Sequence, residues 1–398
     1  MLAPVCFATW THAPPQRYTN NIYHQAEVVY PMMLAALGQQ RKSGKLTIHW
    51  RFPILSWSRG MLEVLARACQ PMKVSVVLSN RTTVPPACML FGPSPSPGQF
   101  FRVKRDAAAK LRSTVLRACG LAERLVAVPQ SIVHMPRRGD GLQSGALRNF
   151  DQPASLRRAL LTAIPTAANG TVRIFPTPAP SASVCSQVST WASADVMLTP
   201  NGAHFVNALF MAPGALLVEG VPWSMRAYPG QPHITRWSRI HHVRVHSSKP
   251  PPTSALQPFV QHSERECALS EVCRRRYRDH SNIHVSARDL LAAVRPALAL
   301  IGCVDTPEWR NPYGKSCADY ATPTEPARRF DGSAMAGGWC SALDGLLPQH
   351  RWAGGAPFGW PERHCCACGR ARAGGGARER AAHQGHSEPT ESRTPDRI

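Results

Sequence analysis

The sequence predicts an α/β protein in which helices cover a parallel sheet, followed by a small disulfide-rich module and a disordered tail. First, short β-branched runs alternate with helical periodicity between residues 131 and 221, which is typical of a parallel sheet. Second, six of the 13 cysteines lie between residues 303 and 368. Third, residues 370–398 contain almost no apolar side chains, so this segment cannot build a core.

Hydrophobic periodicity places the individual elements. Ile22, Ala26 and Val29 recur at three- and four-residue steps, which predicts a helix over residues 20–37. The β-branched run at residues 73–78 predicts a strand. The same reasoning assigns further helices to 61–69, 101–118, 156–163, 182–193, 203–211 and 287–300, strands to 131–135, 171–175, 195–199 and 215–221, and loops to 1–19 and 80–99.

Composition restricts the partners and the compartment. The formal net charge of +22 attracts polyanions such as nucleic acid, acidic glycans, anionic membranes and nucleotide diphosphates. No helix-turn-helix, zinc-finger or RNA-binding signature accompanies this charge, so nucleic-acid binding is a minor alternative. The even-numbered cysteine cluster indicates an oxidising compartment.

The amino-terminal residues do not agree with that compartment. The first ten residues lack the basic start and apolar run of a signal peptide, and the sequence has no run of about 18 apolar residues that would cross a membrane. We therefore expect an incomplete product without its leader, and membrane attachment only through an upstream anchor.

The stretch at residues 194–222 is the most informative for chemistry. A strand is followed by the tight turn Pro200-Asn201-Gly202, a helix from Ala203, and a strand that carries Glu219 near its end. A glycine at such a turn lets the backbone approach a ligand, and a helix start suits a diphosphate. An acidic side chain at a strand's carboxyl end suits ribose hydroxyls. An ordinary strand–helix–strand crossover fits the same pattern equally well.

This stretch resembles glycosyltransferase family 61. The family pattern is an aliphatic strand, a His-Gly-Ala-Gly-Leu-x-Asn-x-x-Phe-Met run, a Pro-Gly turn and a strand ending in Glu. Two upstream motifs follow in family order, Asn-Ile-Tyr-His at residues 21–24 and a strand at 132–135 with arginines after it, so that the resemblance spans residues 15–245. The matching residues are Glu27, Pro31, Arg137, Arg138, Arg148, Asn149, Gly202, Ala203, Asn207, Phe210, Met211, Pro213, Gly214 and Glu219.

The resemblance implies a GT-B-like pair of Rossmann-type halves, with an N-terminal half that is shorter than a full one. It implies inverting transfer from a nucleotide sugar, usually UDP-linked, to a glycan or protein acceptor in the Golgi or ER lumen or outside the cell. No cofactor and no obligatory metal are implied; the sugar, whether hexosyl, pentosyl or N-acetylglucosaminyl, is left open. The expected segments are 1–130 (acceptor-side half), 131–298 (nucleotide-sugar half and linker), 299–369 (cysteine module) and 370–398 (tail).

The resemblance also implies roles for particular residues. Arg137 and Arg138 would neutralise the departing diphosphate, because guanidinium forks match phosphate oxygens. His24 or Glu27 would act as the general base on the acceptor hydroxyl. A solvated turn for the arginines and a packing role for His24 are the structural alternatives. The remaining donor-binding candidates are Asn201, Gly202, Ala203, His204, Asn207 and Glu219.

Two departures from the family pattern bear on activity. Asn201 stands where the family has His, and His204 stands where it has a second Gly, which adds bulk at the turn. A catalytically inactive, glycan-binding relative is therefore the second hypothesis.

Residues 303–369 resemble a six-cysteine module of secreted algal and protist proteins. About 65 residues with few aliphatic side chains need staples, which three disulfides would supply in one of fifteen pairings. Zinc is the rival reading, since His364 adjoins three of the cysteines, but no repeated Cys-x-x-Cys pair is present. The six cysteines are Cys303, Cys317, Cys340, Cys365, Cys366 and Cys368.

The run His-His-Val-Arg-Val-His at residues 241–246 predicts an exposed basic strand. Alternation along a strand would place His242 and His246 on one face and His241 on the other. A metal site on these histidines is the weaker interpretation.

Overall fold

The computed structural model describes residues 5–9, 21–39, 44–50, 53–78, 88–91, 105–126, 128–137, 148–164, 167, 170–175, 182–225, 235, 238–298, 300–301, 306, 309–312, 314, 316–317 and 365. Chain contacts divide the protein into two compact units, Met1–Ile301 and Gly302–Ile398.

The first unit contains nine described strands and eight described α-helices. The strands are β1 (Val5–Thr9), β2 (Lys45–Trp50), β3 (Lys73–Leu78), β4 (Met89–Phe91), β5 (Ile132–His134), β6 (Val172–Ile174), β7 (Val196–Pro200), β8 (Leu216–Val221) and β9 (His241–His246). The helices are α1 (Ile22–Gln39), α2 (Ser56–Ala68), α3 (Arg105–Ala118), α4 (Pro153–Ala163), α5 (Val184–Ala192), α6 (Glu264–Leu269), α7 (Glu271–His280) and α8 (Ala287–Leu298).

The first sheet has the strand order β3-β2-β1-β4, and all its pairings are parallel. β3 and α1 confirm the sequence prediction, whereas the loops expected at residues 1–19 and 80–99 are wrong where β1 and β4 lie. β2 was not predicted, although its burial alternates as expected for a strand with one covered face. β4 lies in a segment rich in Pro and Ser, a composition that predicts a loop.

The second sheet has the order β6-β5-β7-β8-β9 and is also parallel throughout. Its first four strands confirm the predicted alternation of strands and helices. The predicted helix at 203–211 is a 3₁₀ helix, Ala203–Phe210, and every residue from His204 to Phe210 is buried. β9 confirms the predicted strand, but its side chains are half-buried rather than exposed.

The buried 3₁₀ helix joins the two sheets' layers. Its Asn207 amide accepts a hydrogen bond from Trp57 Nε1 of α2 at 3.1 Å and donates to Gln187 Oε1 of α5 at 3.4 Å. Tyr30 of α1 donates its hydroxyl to the Val206 carbonyl at 3.0 Å. Because these polar groups are buried, their pairing fixes how α1 and α2 pack against the layer of the second sheet.

Disulfides staple both units. In the first unit the structure pairs Cys6 with Cys88, Cys119 with Cys185, and Cys267 with Cys273. The second of these links the end of α3 to the start of α5. These pairs were not predicted, because cysteines scattered along a sequence give no local signal of their partners.

The described part of the second unit is small. Cys317 pairs with Cys365, and Arg310 forms an antiparallel bridge with Ser316 across a turn where Gly314 has φ 75°. Cys303, Cys340, Cys366 and Cys368 lie outside the described residues, as do the tail at 370–398 and Arg138. The module's other pairings and the domain boundaries stay predictions.

Among the described helices, none combines the length and the apolar character needed to cross a bilayer.

The Trp57–Asn207 contact yields a stability test. Trp57→Phe leaves the buried Asn207 Oδ1 without its donor, so we expect it to cost about 1–3 kcal/mol more than Trp191→Phe in urea unfolding. Trp191 is the matched control, because it is equally buried and its indole N–H has no hydrogen-bond partner among the described residues. Equal losses in the two variants would contradict a structural role for this hydrogen bond.

Candidate functional site

The second sheet reverses its strand order between β5 and β7, since β6 lies on one side of β5 and β7 on the other. Ligands of such open parallel sheets bind beyond the carboxyl ends of the strands at this reversal. Arg137 follows β5, and Asn201 and Gly202 follow β7. The topology therefore brings the predicted arginine motif and the predicted turn together at one edge.

Arg137 and Arg148 are held at this edge by backbone and side-chain contacts. The Asn149 amide accepts a hydrogen bond from the Arg137 N–H at 2.7 Å and donates one to the Arg137 carbonyl at 2.9 Å. Arg148 has φ 32°, a left-handed conformation that is costly for a residue with a side chain. Such strain persists only where surrounding contacts impose it. Here the contacts of Arg148 hold its guanidinium at the sheet edge.

Arg148 has hydrogen-bonding capacity left over. Its Nη2 donates to Asp279 Oδ1 at 2.5 Å and its Nη1 to the Asn201 carbonyl at 3.4 Å. Its Nε is buried and has no hydrogen-bond partner among the described residues. Burial, and then the charge of Arg137, lower the pKa of Arg148 to about 9. A bound anion would relieve both the unmade hydrogen bond and the repulsion between the two guanidiniums.

Asp279, near the end of α7, forms ion pairs with Arg148 and Arg278. Its neighbour Arg278 donates two hydrogen bonds to it, at 3.0 and 2.8 Å. Arg148, which is 131 residues away in the sequence, donates a third. Burial raises the pKa of Asp279, but the Arg278 hydrogen bonds and the charges of Arg148, Arg278 and Arg137 outweigh this, so that its pKa is lowered. The carboxylate is therefore charged at neutral pH.

Glu219 is the second anion and is fully buried. It lies inside β8 rather than at its end, and it is engaged on both oxygens: Asn201 Nδ2 donates to Oε1 at 2.5 Å and His242 Nε2 to Oε2 at 2.8 Å. Arg244 Nε lies 3.4 Å from Oε2. Burial raises the pKa of Glu219, but the His242 contact, Asn201 and Arg244 lower it overall. The carboxylate thus organises the edge, and its predicted contact with a ribose stays a prediction.

His204 occupies the turn at the start of the 3₁₀ helix. Thr199 Oγ1 donates to the Met135 carbonyl at 3.0 Å and lies 2.9 Å from His204 Nε2. Burial, then Arg137 and Arg148, lower the pKa of His204 to about 3. The imidazole is neutral at physiological pH.

Gly202 is needed for a reason that the sequence did not reveal. Its φ of −179° is ordinary extended backbone, but a Cβ there would lie 2.7 Å from the His204 ring. The missing side chain makes room for the His204 ring. Ala203 starts the 3₁₀ helix, and the Asn207 amide is already engaged by Trp57 and Gln187.

The predicted bases lie on α1. His24 Nδ1 is 3.5 Å from Glu27 Oε2, and the Glu27 carboxylate is buried with no hydrogen bond among the described residues. Glu27 is one helical turn before Tyr30, which contacts the 3₁₀ helix at Val206. The structure therefore brings His24 and Glu27 together, on the helix face that adjoins the second half.

Four residues of the site were missed from the sequence: Arg244, His242, Arg278 and Asp279. Parallel register places Arg244 opposite Glu219, and His242 shares its face two residues away. Pairing β9 with β8 in parallel register would therefore have predicted that Arg244 and His242 lie beside Glu219. No local signal could have joined Asp279 to Arg148, because 131 residues separate them.

The fold and the edge define a Rossmann-type α/β protein with a basic site, in which Arg137, Arg148 and Arg278 surround Asp279 and Arg244 contacts Glu219. Residues 89–218 match the family model described as Glycosyltransferase 61, which supports a glycosyltransferase domain of this family over that span. No curated protein matches the chain. Arg137, Arg148 and the turn at Asn201–His204 lie inside the matched span; His24, Glu27 and Glu219 lie outside it.

Gly202 and His204 are expected to be energetically coupled. Gly202→Ala should destabilise the protein by about 1–3 kcal/mol, because its Cβ overlaps the His204 ring in a packed interior. Adding His204→Gly should remove that overlap, so the double variant should be more stable than the sum of the two single losses. Chemical denaturation of the four proteins measures the coupling, and strict additivity would contradict it.

Glu219 is expected to contribute stability that depends on pH. Because its folded pKa lies below the ordinary 4.5, its contribution is present above that value and is lost as pH falls through the folded pKa. Glu219→Gln should cost about 1.5–3 kcal/mol at pH 7, and this difference should shrink below about pH 4.5. Urea unfolding at both pH values measures it; Glu271→Gln, at an exposed position, should change little.

Proposed function

We propose that this protein is an inverting glycosyltransferase that moves a sugar from a UDP-type nucleotide sugar to a glycan or protein acceptor in the secretory pathway. The observation that carries the proposal is the pair Arg137 and Arg148 at the strand reversal, together with a buried Arg148 Nε that has no hydrogen-bond partner among the described residues. A diphosphate supplies the oxygens and the charge that these donors require. The match to a glycosyltransferase model over residues 89–218 supports the same conclusion.

The two parallel sheets fit the GT-B arrangement, in which a donor half and an acceptor half contribute to one site. The second sheet, with the arginines, would be the donor half. The first sheet, whose β1 leads into the helix that carries His24 and Glu27, would be the acceptor half. We retain the proposal that the reaction needs no obligatory metal, because the guanidiniums can supply the positive charge that a cation would otherwise bring.

In the proposed reaction the acceptor oxygen forms a bond to the anomeric carbon while the bond from that carbon to the diphosphate oxygen breaks. The acceptor proton moves to a base, and the electron pair leaves on the diphosphate. His24 is the better base of the pair, since it retains some solvent exposure and Glu27 is placed to orient it and to stabilise the imidazolium. Arg137 and Arg148 neutralise the leaving group.

Ligand-induced stabilisation tests the donor site. UDP at about 100 times its dissociation constant should stabilise the wild type by about 2.7 kcal/mol, and GDP or CMP should do so less. Arg148→Gln should lose most of the UDP effect relative to its own ligand-free baseline. Arg288→Gln, at a 92% exposed position, is the matched control and should keep it. No stabilisation of the folded wild type by any nucleotide would contradict a donor site at this edge.

The base is tested separately by the pH dependence of sugar transfer. His24→Gln should reduce kcat by about 10²–10⁴-fold with little effect on UDP binding, because a general base contributes that range. The acid limb of the wild-type profile should disappear in the variant. An unchanged profile would remove His24 from the mechanism and leave the donor site untouched.

One observation favours the second candidate, an inactive glycan-binding relative. The His204 ring fills the space beside Gly202 where the family pattern has a second glycine. In that reading UDP or a glycan binds, but no sugar is transferred. Turnover that appears only after His204→Gly would support the inactive relative, whereas turnover by the wild type would exclude it.

A further inference from the structure

Three side chains that can bind a metal meet on the first sheet, in a part of the protein that the proposed reaction does not use. Cys6 lies on β1, Cys88 immediately precedes β4, and His49 lies on β2. The pairing of Phe7 with Met89 places Cys6 beside Cys88. Cys6 pairs with Thr47 and Ala8 with His49, so alternation along the strands puts Cys6 and His49 on the same face.

The donor atoms of these residues lie within 4.8 Å of one another. In this structure the two sulfurs form a disulfide. Among the residues that the structure describes, this is the one group of three or more His, Cys, Asp or Glu side chains close enough to share an ion. The position of two cysteines on neighbouring strands is explained by a disulfide alone, but the position of His49 is not.

His49 supplies the second, independent observation. His49 is partly buried and makes no side-chain hydrogen bond to another described residue. Its nitrogens are not among the buried polar atoms that lack a partner, so they are accessible from solvent and an ion has a way in. A ring nitrogen without a partner, next to two sulfurs, is the arrangement that a metal ligand would have before its ion arrives.

We propose that Cys6, His49 and Cys88 form a binding site for one zinc-class divalent cation when the Cys6–Cys88 disulfide is reduced. A dithiol reductant supplies two electrons and two protons to the disulfide and becomes a disulfide itself. Each cysteine thiol then gives up its proton as its sulfur binds the cation, and neutral His49 binds through a ring nitrogen. Oxidation and metal binding are thus mutually exclusive states of the same two sulfurs.

The geometry suits this cation. Zn–S bonds of about 2.3 Å and Zn–N bonds of about 2.0 Å in a tetrahedron place the ligand atoms roughly 3.5–3.8 Å apart. Reduction lets the sulfurs separate to that distance by rotation about their Cα–Cβ bonds, and the imidazole already has a nitrogen within 4.8 Å of both sulfurs. Two thiolates and one imidazole select zinc-class ions over magnesium or calcium. The fourth position is left for water or another small ligand.

The strands make the site rigid. β1 is the centre of the three strands involved, and Phe7 and Ile48, which alternate with the site residues, are fully buried in the core on the opposite face. A scaffold of this kind holds ligands in place without the metal, so binding does not depend on folding a loop around the ion.

The test is titration of the fully reduced full-length chain with Co²⁺ under anaerobic conditions. Tetrahedral thiolate ligation gives a sulfur-to-cobalt charge-transfer band in the near ultraviolet and strong d–d bands in the visible, and Zn²⁺ should displace the cobalt. We expect His49→Gln to weaken one equivalent of binding by more than about tenfold, since even residues that only support a ligand contribute that much. Cys6→Ser and Cys88→Ser should abolish the same equivalent.

The matched control is the double change of Cys267 and Cys273 to Ser, which removes another disulfide pair that has no such histidine beside it. This control should keep the equivalent that His49→Gln weakens. Identical cobalt spectra and affinities for the wild type and His49→Gln would overturn the proposal, and so would loss of that equivalent in the control. Cobalt bound at other cysteines survives all three site variants and is distinguished in this way.

A second variant covers the outcome in which full reduction unfolds the chain. Replacing Cys6 and Cys88 together by His provides imidazoles that need no reductant, so Co²⁺ should bind to the otherwise oxidised protein with one equivalent that His49→Gln weakens. A folded double-His variant without that equivalent would show that the three positions do not converge on an ion. Neither test involves sugar transfer, so the result is independent of the proposed function.

Discussion

The fold depends on the buried 3₁₀ helix Ala203–Phe210. Three helices of the first half contact it or its last turn through polar groups: Tyr30 of α1 at Val206, Trp57 of α2 at Asn207, and Arg112 of α3 at the Met211 carbonyl. On the other side α5 contributes Gln187. Breaking any one of these contacts would leave a buried polar group unpaired, which costs more than the hydrogen bond gains. The segment that begins at the candidate site therefore also holds the two sheets together.

The charges at the candidate site follow from which of its side chains are buried and which of them are paired. A neutral His204 sits between Thr199 and the arginines, and the two carboxylates, Glu219 and Asp279, remain charged because each is surrounded by donors. Four guanidiniums against two carboxylates leave an excess of positive charge in a partly dry setting, where electrostatic interactions are stronger than in water. The carboxylates position the arginines, and the excess charge is what remains for a ligand.

Sequence reasoning predicted what is local and missed what is distant. β3, β5, β6, β7 and β8 were predictable, because β-branched runs between turn residues leave a direct signal, and so was the placement of Arg137 beside Asn201 at the edge. β4 was missed because its neighbours are rich in Pro and Ser, a composition that predicts a loop. The Arg148–Asp279 pair, the Trp57–Asn207 hydrogen bond and two of the disulfides, Cys6–Cys88 and Cys119–Cys185, join residues far apart in the chain. A single sequence contains no signal that such distant residues are partners.

The 3₁₀ helix and the Cys119–Cys185 disulfide have a consequence for motion. A domain hinge needs a seam with few buried contacts, where a few residues absorb a large change in backbone angle. Here the contact between the first sheet's helices and the second sheet is buried and polar, and a disulfide links its two sides. The helices and the second sheet would therefore move as one rigid body. A ligand at the edge would then bind without a hinge motion between the two sheets. Selectivity in such a protein has to reside in the shape and charge of the resting site, since no closing step is left to reject a poor fit.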